Sequence, residues 1–202
     1  MTPTGLAKLI RARADGPGRF LVALAGPPAS GKSTLAAALA GTLAPGARVV
    51  PMDGFHYDDA VLEARGLRAR KGSPPSFDAM GFLHLLRRLR EEDEVAIPIF
   101  DRSMELSRAG ADVVGPQDRI LIVEGNYLLL DEDPWHALAP LFDLTVFLDV
   151  PEAELVRRLT ARWKRHGRDD RAARDWIESN DLPNALTVIA RSSPAEITLR
   201  NL

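Results

Sequence analysis

One run of eight residues constrains this chain more than any other: Gly26-Pro27-Pro28-Ala29-Ser30-Gly31-Lys32-Ser33, with Thr34 behind it, satisfies G-x-x-x-x-G-K-[ST] at every fixed position. Its surroundings fit. The apolar run Phe20 to Ala25 reads as a buried strand, and Ser33 to Leu43 reads as an Ala- and Leu-rich helix. A polyphosphate needs donors that approach closely, and the backbone amides of a Gly-rich turn entering a helix supply them. Gly26 and Gly31 permit that approach. Lys32 is expected to set its ammonium against the terminal phosphates, and Ser33 to give a hydroxyl to Mg²⁺.

A nucleoside triphosphate site of this kind predicts an α/β chain with the P-loop NTPase fold: three α/β/α layers, a mainly parallel central sheet and a helical lid. With 202 residues the whole chain, 1–202, is expected to form a single domain. The formal net charge of −2 offers no basic field for nucleic acid, so a small-molecule partner is expected. No cysteine is present, which excludes disulfides and zinc–thiolate sites and agrees with a reducing compartment. Leu121 to Leu130 is interrupted by Glu124 and Asn126 and makes no membrane span. The first 18 residues lack the long apolar core of a secretion signal; they read as a helix ahead of the first strand, in a cytoplasmic protein. The oligomeric state is open, a homodimer included.

Further along, Gly41 to Gly46 reads as a turn and Arg48 to Met52 as a second strand ending at Asp53. Ligands of open α/β sheets collect at the carboxyl ends of strands, which sets Asp53-Gly54-Phe55-His56-Tyr57 at the mouth of the site. A short helix is expected over Asp58 to Gly66. Arg68 to Pro75 is a basic, proline-rich loop, either solvated or in contact with an anionic or hydroxyl-rich ligand. Asp78 to Arg90 is an amphipathic helix capped by Ser76 or Asp78. Val95 to Phe100 alternates around Pro98 and suggests an edge strand followed by Asp101-Arg102-Ser103. Met104 to Gln117 reads as an irregular loop with a short hairpin strand at Asp112 to Val114. Arg119 to Val123 is a central parallel strand that delivers Glu124 to the same edge as Asp53.

Trp135 to Leu141 is a short helix and Asp143 to Val150 another buried strand. Pro151 suits a first helical position, with Glu152 and Glu154 in the first turn. Along that helix Leu155, Leu159 and Trp163 are the expected core side. Arg158, Arg162 and Arg165 share another face, joined by Lys164, His166 and Arg168: a solvated basic face, or a cationic lid over phosphates at about 160–172. Ala172 to Ser192 is helical with a break near Leu182-Pro183, and Glu196 to Leu199 is a final edge strand.

Phosphoryl transfer from ATP to a hydroxyl needs a cradle, a metal, a base near the acceptor, and positive charge on the transferred group. Candidates exist for all four: Gly26 to Thr34 for the cradle, Ser33 with Glu124 or Asp53 for Mg²⁺, Asp53 for the base, and Lys32 with the lid arginines for the charge. His56, Tyr57, Arg70, Asp101, Arg102 and Glu124 join Asp53 as candidate contacts to the acceptor.

Several segments together resemble a known superfamily. Asp53-Gly54-Phe55-His56, Arg70-Lys71-Gly72-Ser73-Pro74-Pro75-Ser76-Phe77-Asp78, Pro98-Ile99-Phe100-Asp101 and Ile122-Val123-Glu124-Gly125-Asn126 are similar to the uridine kinase, phosphoribulokinase and bacterial pantothenate kinase group, from Phe20 to Asn184. The resemblance implies an ATP- and Mg²⁺-dependent kinase. It also implies a general base at Asp53, an acidic residue at Glu124 near metal and acceptor, and a lid arginine at Arg162 or Arg168. Arg102-Ser103-Met104-Glu105 follows Phe100-Asp101 where uridine kinases have an aromatic residue and a histidine, and pantothenate kinases are longer chains with a histidine near Arg102. Ser179-Asn180-Asp181-Leu182-Pro183-Asn184 brings the sequence nearest to short bacterial kinases described as fructose transport system kinases, which implies a sugar acceptor. A pantothenate- or nucleoside-type acceptor is the alternative. A nucleotide switch or an ATPase without an acceptor is the reading from another class; Asn-Lys-x-Asp and Leu-Ser-Gly-Gly signatures are absent.

Overall fold

Alternate residues of Phe20–Ala25 are buried on opposite faces, and this divides the molecule into layers: Leu21, Ala23 and Ala25 belong to one core, Val22 and Leu24 to the other. The computed structural model describes residues 1–200. Helix α1 (Pro3–Arg13) opens the chain, capped by Thr2, whose side-chain oxygen accepts from the Gly5 amide. Then come β1 (Phe20–Ala25), α2 (Lys32–Leu43), β2 (Ala47–Pro51) and a single 3₁₀ turn over Met52–Phe55. Helices α3 (Asp59–Ala64) and α4 (Ala79–Glu91) follow, the second capped by Asp78 through the Gly81 amide. Strands β3 (Val95–Asp101), β4 (Leu106–Val114), β5 (Ile120–Gly125) and β6 (Leu144–Asp149) lead to α5 (Glu152–Arg165) and α6 (Asp170–Trp176). One π-helical turn over Ile177–Asp181 joins α6 to α7 (Leu182–Arg191), and β7 (Ile197–Arg200) completes the described chain.

The central sheet runs β2-β5-β1-β6-β7, all parallel. On one face α1 and α2 cover it with Leu6, Ile10, Leu39 and Leu43; on the other lie Phe82, Leu86 and Leu89 of α4 with Tyr127, Trp135 and Val188. Register places the chemistry. Glu124 of β5 stands opposite Leu24 of β1 and Pro51 of β2, so its carboxyl reaches the sheet edge where the Gly-rich loop leaves β1 and the Asp53 turn leaves β2.

Four local expectations are corrected. Strand β3 is not an edge of the main sheet: with β4 it makes a separate antiparallel hairpin whose register slips at Pro98. The irregular loop expected from Met104 is largely strand β4, concealed because it is mostly exposed and lacks a buried alternating face. Pro151 is the cap before α5 and not its first residue. The break near Leu182-Pro183 is a widening of the continuous helix into a π turn just ahead of Pro183, whose missing amide leaves that stretch of the ladder one donor short.

Candidate active site

A cavity of about 950 Å³ opens at the carboxyl edge of the sheet. Its floor is the Gly-rich loop. Gly31 takes φ +95°, a left-handed backbone that favours glycine, and a Cβ on Gly26 would come 2.9 Å from the Leu148 carbonyl oxygen. Pro28, Ala29, Gly31, Lys32, Ser33 and Thr34 face the cavity, whereas Gly26, Pro27 and Ser30 build the turn beneath it. Lys32 Nζ donates to the Pro27 carbonyl at 2.9 Å, curling back onto its own loop. Arg158 of α5 donates to the Ser30 carbonyl at 3.2 Å and pairs with Glu154, tying that helix to the loop.

Ser33 Oγ donates to Glu124 Oε1 at 3.2 Å. A hydroxyl and a carboxylate in contact are hard oxygen donors of the sort Mg²⁺ accepts alongside phosphate oxygens. Burial governs the charges here. It holds the Lys32 ammonium down to about 8, opposed by the carboxylates of Glu124 and Asp53, and it pushes the Glu124 carboxyl up, with Asp53 adding to the rise.

Asp53 lies in the 3₁₀ turn after β2. That turn presses against β3, since a Cβ on Gly54 would meet the Pro98 carbonyl oxygen at 2.3 Å. Its carboxylate lines the cavity and accepts from Arg102 Nη2 at 2.7 Å. His56 Nδ1 lies 2.8 Å from the Asp53 carbonyl and its ring is packed between Phe77 and Phe100, with centroids 3.9 and 4.9 Å away; burial lowers its proton affinity, so it is a neutral wall.

Three expected acceptor contacts do not line the cavity. Tyr57 lies under the Arg65 guanidinium, 4.2 Å from the ring centroid. Arg70 is spent on the Ser179 carbonyl and the Asn184 side chain, clipping its loop to the π turn. Asp101 caps the hairpin turn, its Oδ1 accepting from the Ser103 amide and hydroxyl and the Met104 amide.

From α5, Arg162 reaches the cavity; burial and the nearby Arg102 charge lower its proton affinity. Trp163 is corrected from core to cavity wall: its indole N–H donates to Asp181 Oδ2 at 2.5 Å, and its ring meets Trp176 at 6.0 Å. Arg168 sits between those two indoles, 4.5 and 4.7 Å from their centroids. Sequence reading missed Trp163, Trp176 and Asp181 as lining residues, whereas the basic Arg68 to Pro75 loop had already offered Lys71 as a ligand contact. Asp181 is mostly buried, and that burial raises its carboxyl.

Comparison with known proteins places the fold among phosphate-transferring kinases. A sequence model described as "Phosphoribulokinase / Uridine kinase family" matches residues 21–197. A "putative uridine kinase" of Schizosaccharomyces pombe is 34% identical over 197 residues, 91% of this chain and 84% of that protein. A pantothenate kinase of Enterococcus faecalis is 33% identical over 141 residues, 66% of this chain but 46% of that longer protein. The crystal structure of a "putative fructose transport system kinase" from Silicibacter sp. TM1040 superposes with a TM-score of 0.94 at 45% identity, covering 98% of this chain and 99% of that one.

Proposed function

Because this chain belongs to the phosphoribulokinase/uridine kinase family, we propose that it moves the γ-phosphate of ATP to a hydroxyl of a small sugar-type molecule. The observation that carries the reading is the placement of Asp53. It shares one cavity with Lys32, Ser33 and Glu124 of the loop side, and with His56, Phe77 and Phe100 on the other wall. A nucleotide switch has no use for a carboxylate facing an aromatic-lined second compartment, whereas a two-substrate enzyme needs one.

In this reading the loop amides and Lys32 hold the β- and γ-phosphates. Ser33 and Glu124 would hold Mg²⁺, which when bound neutralises phosphate charge as it builds. Asp53 takes the proton of the attacking hydroxyl. Arg162, and Arg168 once released from its two tryptophans, supply charge to the transferred group, with residues 160–172 acting as the lid of a single catalytic domain.

The sugar assignment is supported by the name carried by the Silicibacter protein, at 45% identity. Pantothenate and nucleosides belong in the same test because relatives at 33% and 34% identity carry those names. The test is ATP consumption against a panel of sugars, sugar phosphates, sugar acids, nucleosides, pantothenate and vitamin-like alcohols, with Lys32→Ala as control. Acceptor-dependent ADP release that vanishes in the control is expected. Hydrolysis indifferent to every acceptor would sink the kinase assignment.

A further inference from the structure

Phosphoryl transfer as described leaves one contact on the acceptor side unexplained. The Arg102–Asp53 hydrogen bond means that the carboxylate which must take the acceptor's proton already has one oxygen engaged. Arg102 arrives from the β3–β4 turn, 49 residues along the chain from Asp53. The Asp101 cap holds that turn, and the guanidinium stands 5.8 Å from the Phe100 ring centroid. The Arg102 side chain is still 51% exposed, so it can swing away at little cost.

Cations gather around this contact. Arg102, Arg162, Arg165 and Arg168 line the cavity with Lys32, whereas Arg68, Lys71, Arg158 and Arg200, which line it too, are paired with Asp59, Glu154 and Asp149 outside it. Arg162 faces the same space and feels the charge of Arg102 across it; among the described residues it has no carboxylate within ion-pair range. An arginine fork matches the paired oxygens of a carboxylate or phosphate, a geometry that hydroxyl groups alone do not offer.

We propose that the acceptor is an anion, carrying a carboxylate or phosphate beside the hydroxyl that is phosphorylated, and that Arg102 exchanges its bond to Asp53 for a bond to that oxyanion. The inference rests on the kinase reading and narrows a sugar-type alcohol to an acidic one, a sugar acid or a sugar phosphate. In the exchange Asp53 Oδ2 is released to accept the hydroxyl proton. The acceptor oxygen bonds to the γ-phosphorus, the bond from that phosphorus to the β,γ-bridging oxygen breaks, and the nucleoside diphosphate leaves with the bonding electrons. An uncharged alcohol gives Arg102 no new partner, and Asp53 Oδ2 stays engaged.

The test begins by saturating the protein with Mg²⁺ and the non-hydrolysable analogue AMP-PNP, which examines the kinase reading separately. Calorimetric titration of that complex with inorganic phosphate is expected to show a second oxyanion site. Arg102→Gln should weaken it by about 10- to 100-fold, the loss of a charge-assisted hydrogen bond. Arg102→Lys should restore part of the affinity, since a charge returns without the fork. Glycerate and glycerol 3-phosphate then separate carboxylate from phosphate, the tighter of the two naming the source, with glycerol as the uncharged control. The inference is overturned if phosphate binds only when the nucleotide is absent, which would make Arg102 a reader of the nucleotide itself. It is overturned equally by a site indifferent to Arg102→Gln, by the absence of any such site, or by glycerol binding as tightly as the anions. Failure of AMP-PNP to bind overturns the kinase reading, and this inference with it.

Discussion

Replacing Lys32 by methionine should stabilise the ligand-free protein while destroying its nucleotide site. The ammonium is buried with no ion-pair partner among the described residues, and burial outweighs the attraction of Glu124 and Asp53, holding it near 8 against an ordinary 10.5. At about 1.4 kcal/mol per pH unit that depression costs the empty protein about 3 kcal/mol at pH 7. Methionine also forfeits the hydrogen bond to the Pro27 carbonyl, worth about 1 kcal/mol, so the net gain is about 2 kcal/mol. For a chain of this size that is about 4–8 °C in Tm.

The sign follows from proton binding. Because the folded-state value lies below the unfolded one, the folded protein holds fewer protons between about pH 8 and 10.5, and this group's contribution to stability rises with pH through that window. The advantage of Lys32→Met is therefore full below pH 8 and falls by more than half near pH 9.5. Scanning calorimetry of both proteins at pH 7 and near pH 9.5 measures it. Saturating Mg²⁺ and nucleotide should then reverse the order, since ligand at a hundred times its Kd adds about 2.7 kcal/mol to the wild type alone. A variant no more stable than wild type at pH 7, or an advantage independent of pH, would refute the reasoning that the empty loop pays to bury a charge.

Asp53→Asn should lower turnover by about 10²–10⁴-fold while nucleotide affinity, measured by equilibrium titration, stays within a few fold; normal turnover rules out Asp53 as the base. Arg162→Ala should reduce turnover more than Arg168→Ala, because Arg162 already faces Asp53 whereas Arg168 must first leave its two indoles. Steady-state kinetics of the pair decides, and the opposite ranking makes Arg168 the arginine that reaches the phosphates. Arg168→Ala should also cost roughly 1 kcal/mol of stability through the lost indole contacts, visible in denaturant titration. Gly54→Ala forces a methyl against the Pro98 carbonyl and should destabilise by about 1–3 kcal/mol while displacing Asp53; unchanged stability and turnover would show that the β2 turn has slack.

What the amino-acid sequence determined by itself is what short-range chemistry writes down. The Gly-rich loop is legible because it is one contiguous turn between a continuous apolar strand and a helix, and no distant residue is needed to specify it. Strands β1, β5 and β6 were legible as apolar runs because both faces of the sheet are covered, and Asp53 and Glu124 followed from their places at or just beyond strand ends. The strand β4 left no such trace, since a mostly exposed hairpin arm imposes no apolar alternation.

Only the tertiary structure decided the rest, and the reason is sequence distance. The bond between Arg102 and Asp53 joins residues 49 apart, and the clip from Arg70 to the π turn spans more than 100. Neither side chain's type says which of its many polar partners packing will bring near. The same holds for Tyr57, Arg70 and Asp101, whose residue types suit a ligand but whose donors and acceptors, or ring face, are taken up within the protein. The loop declares a phosphate cradle by itself; the rest of the cavity is written in contacts made only once the hairpin, α5 and the π turn have folded around it.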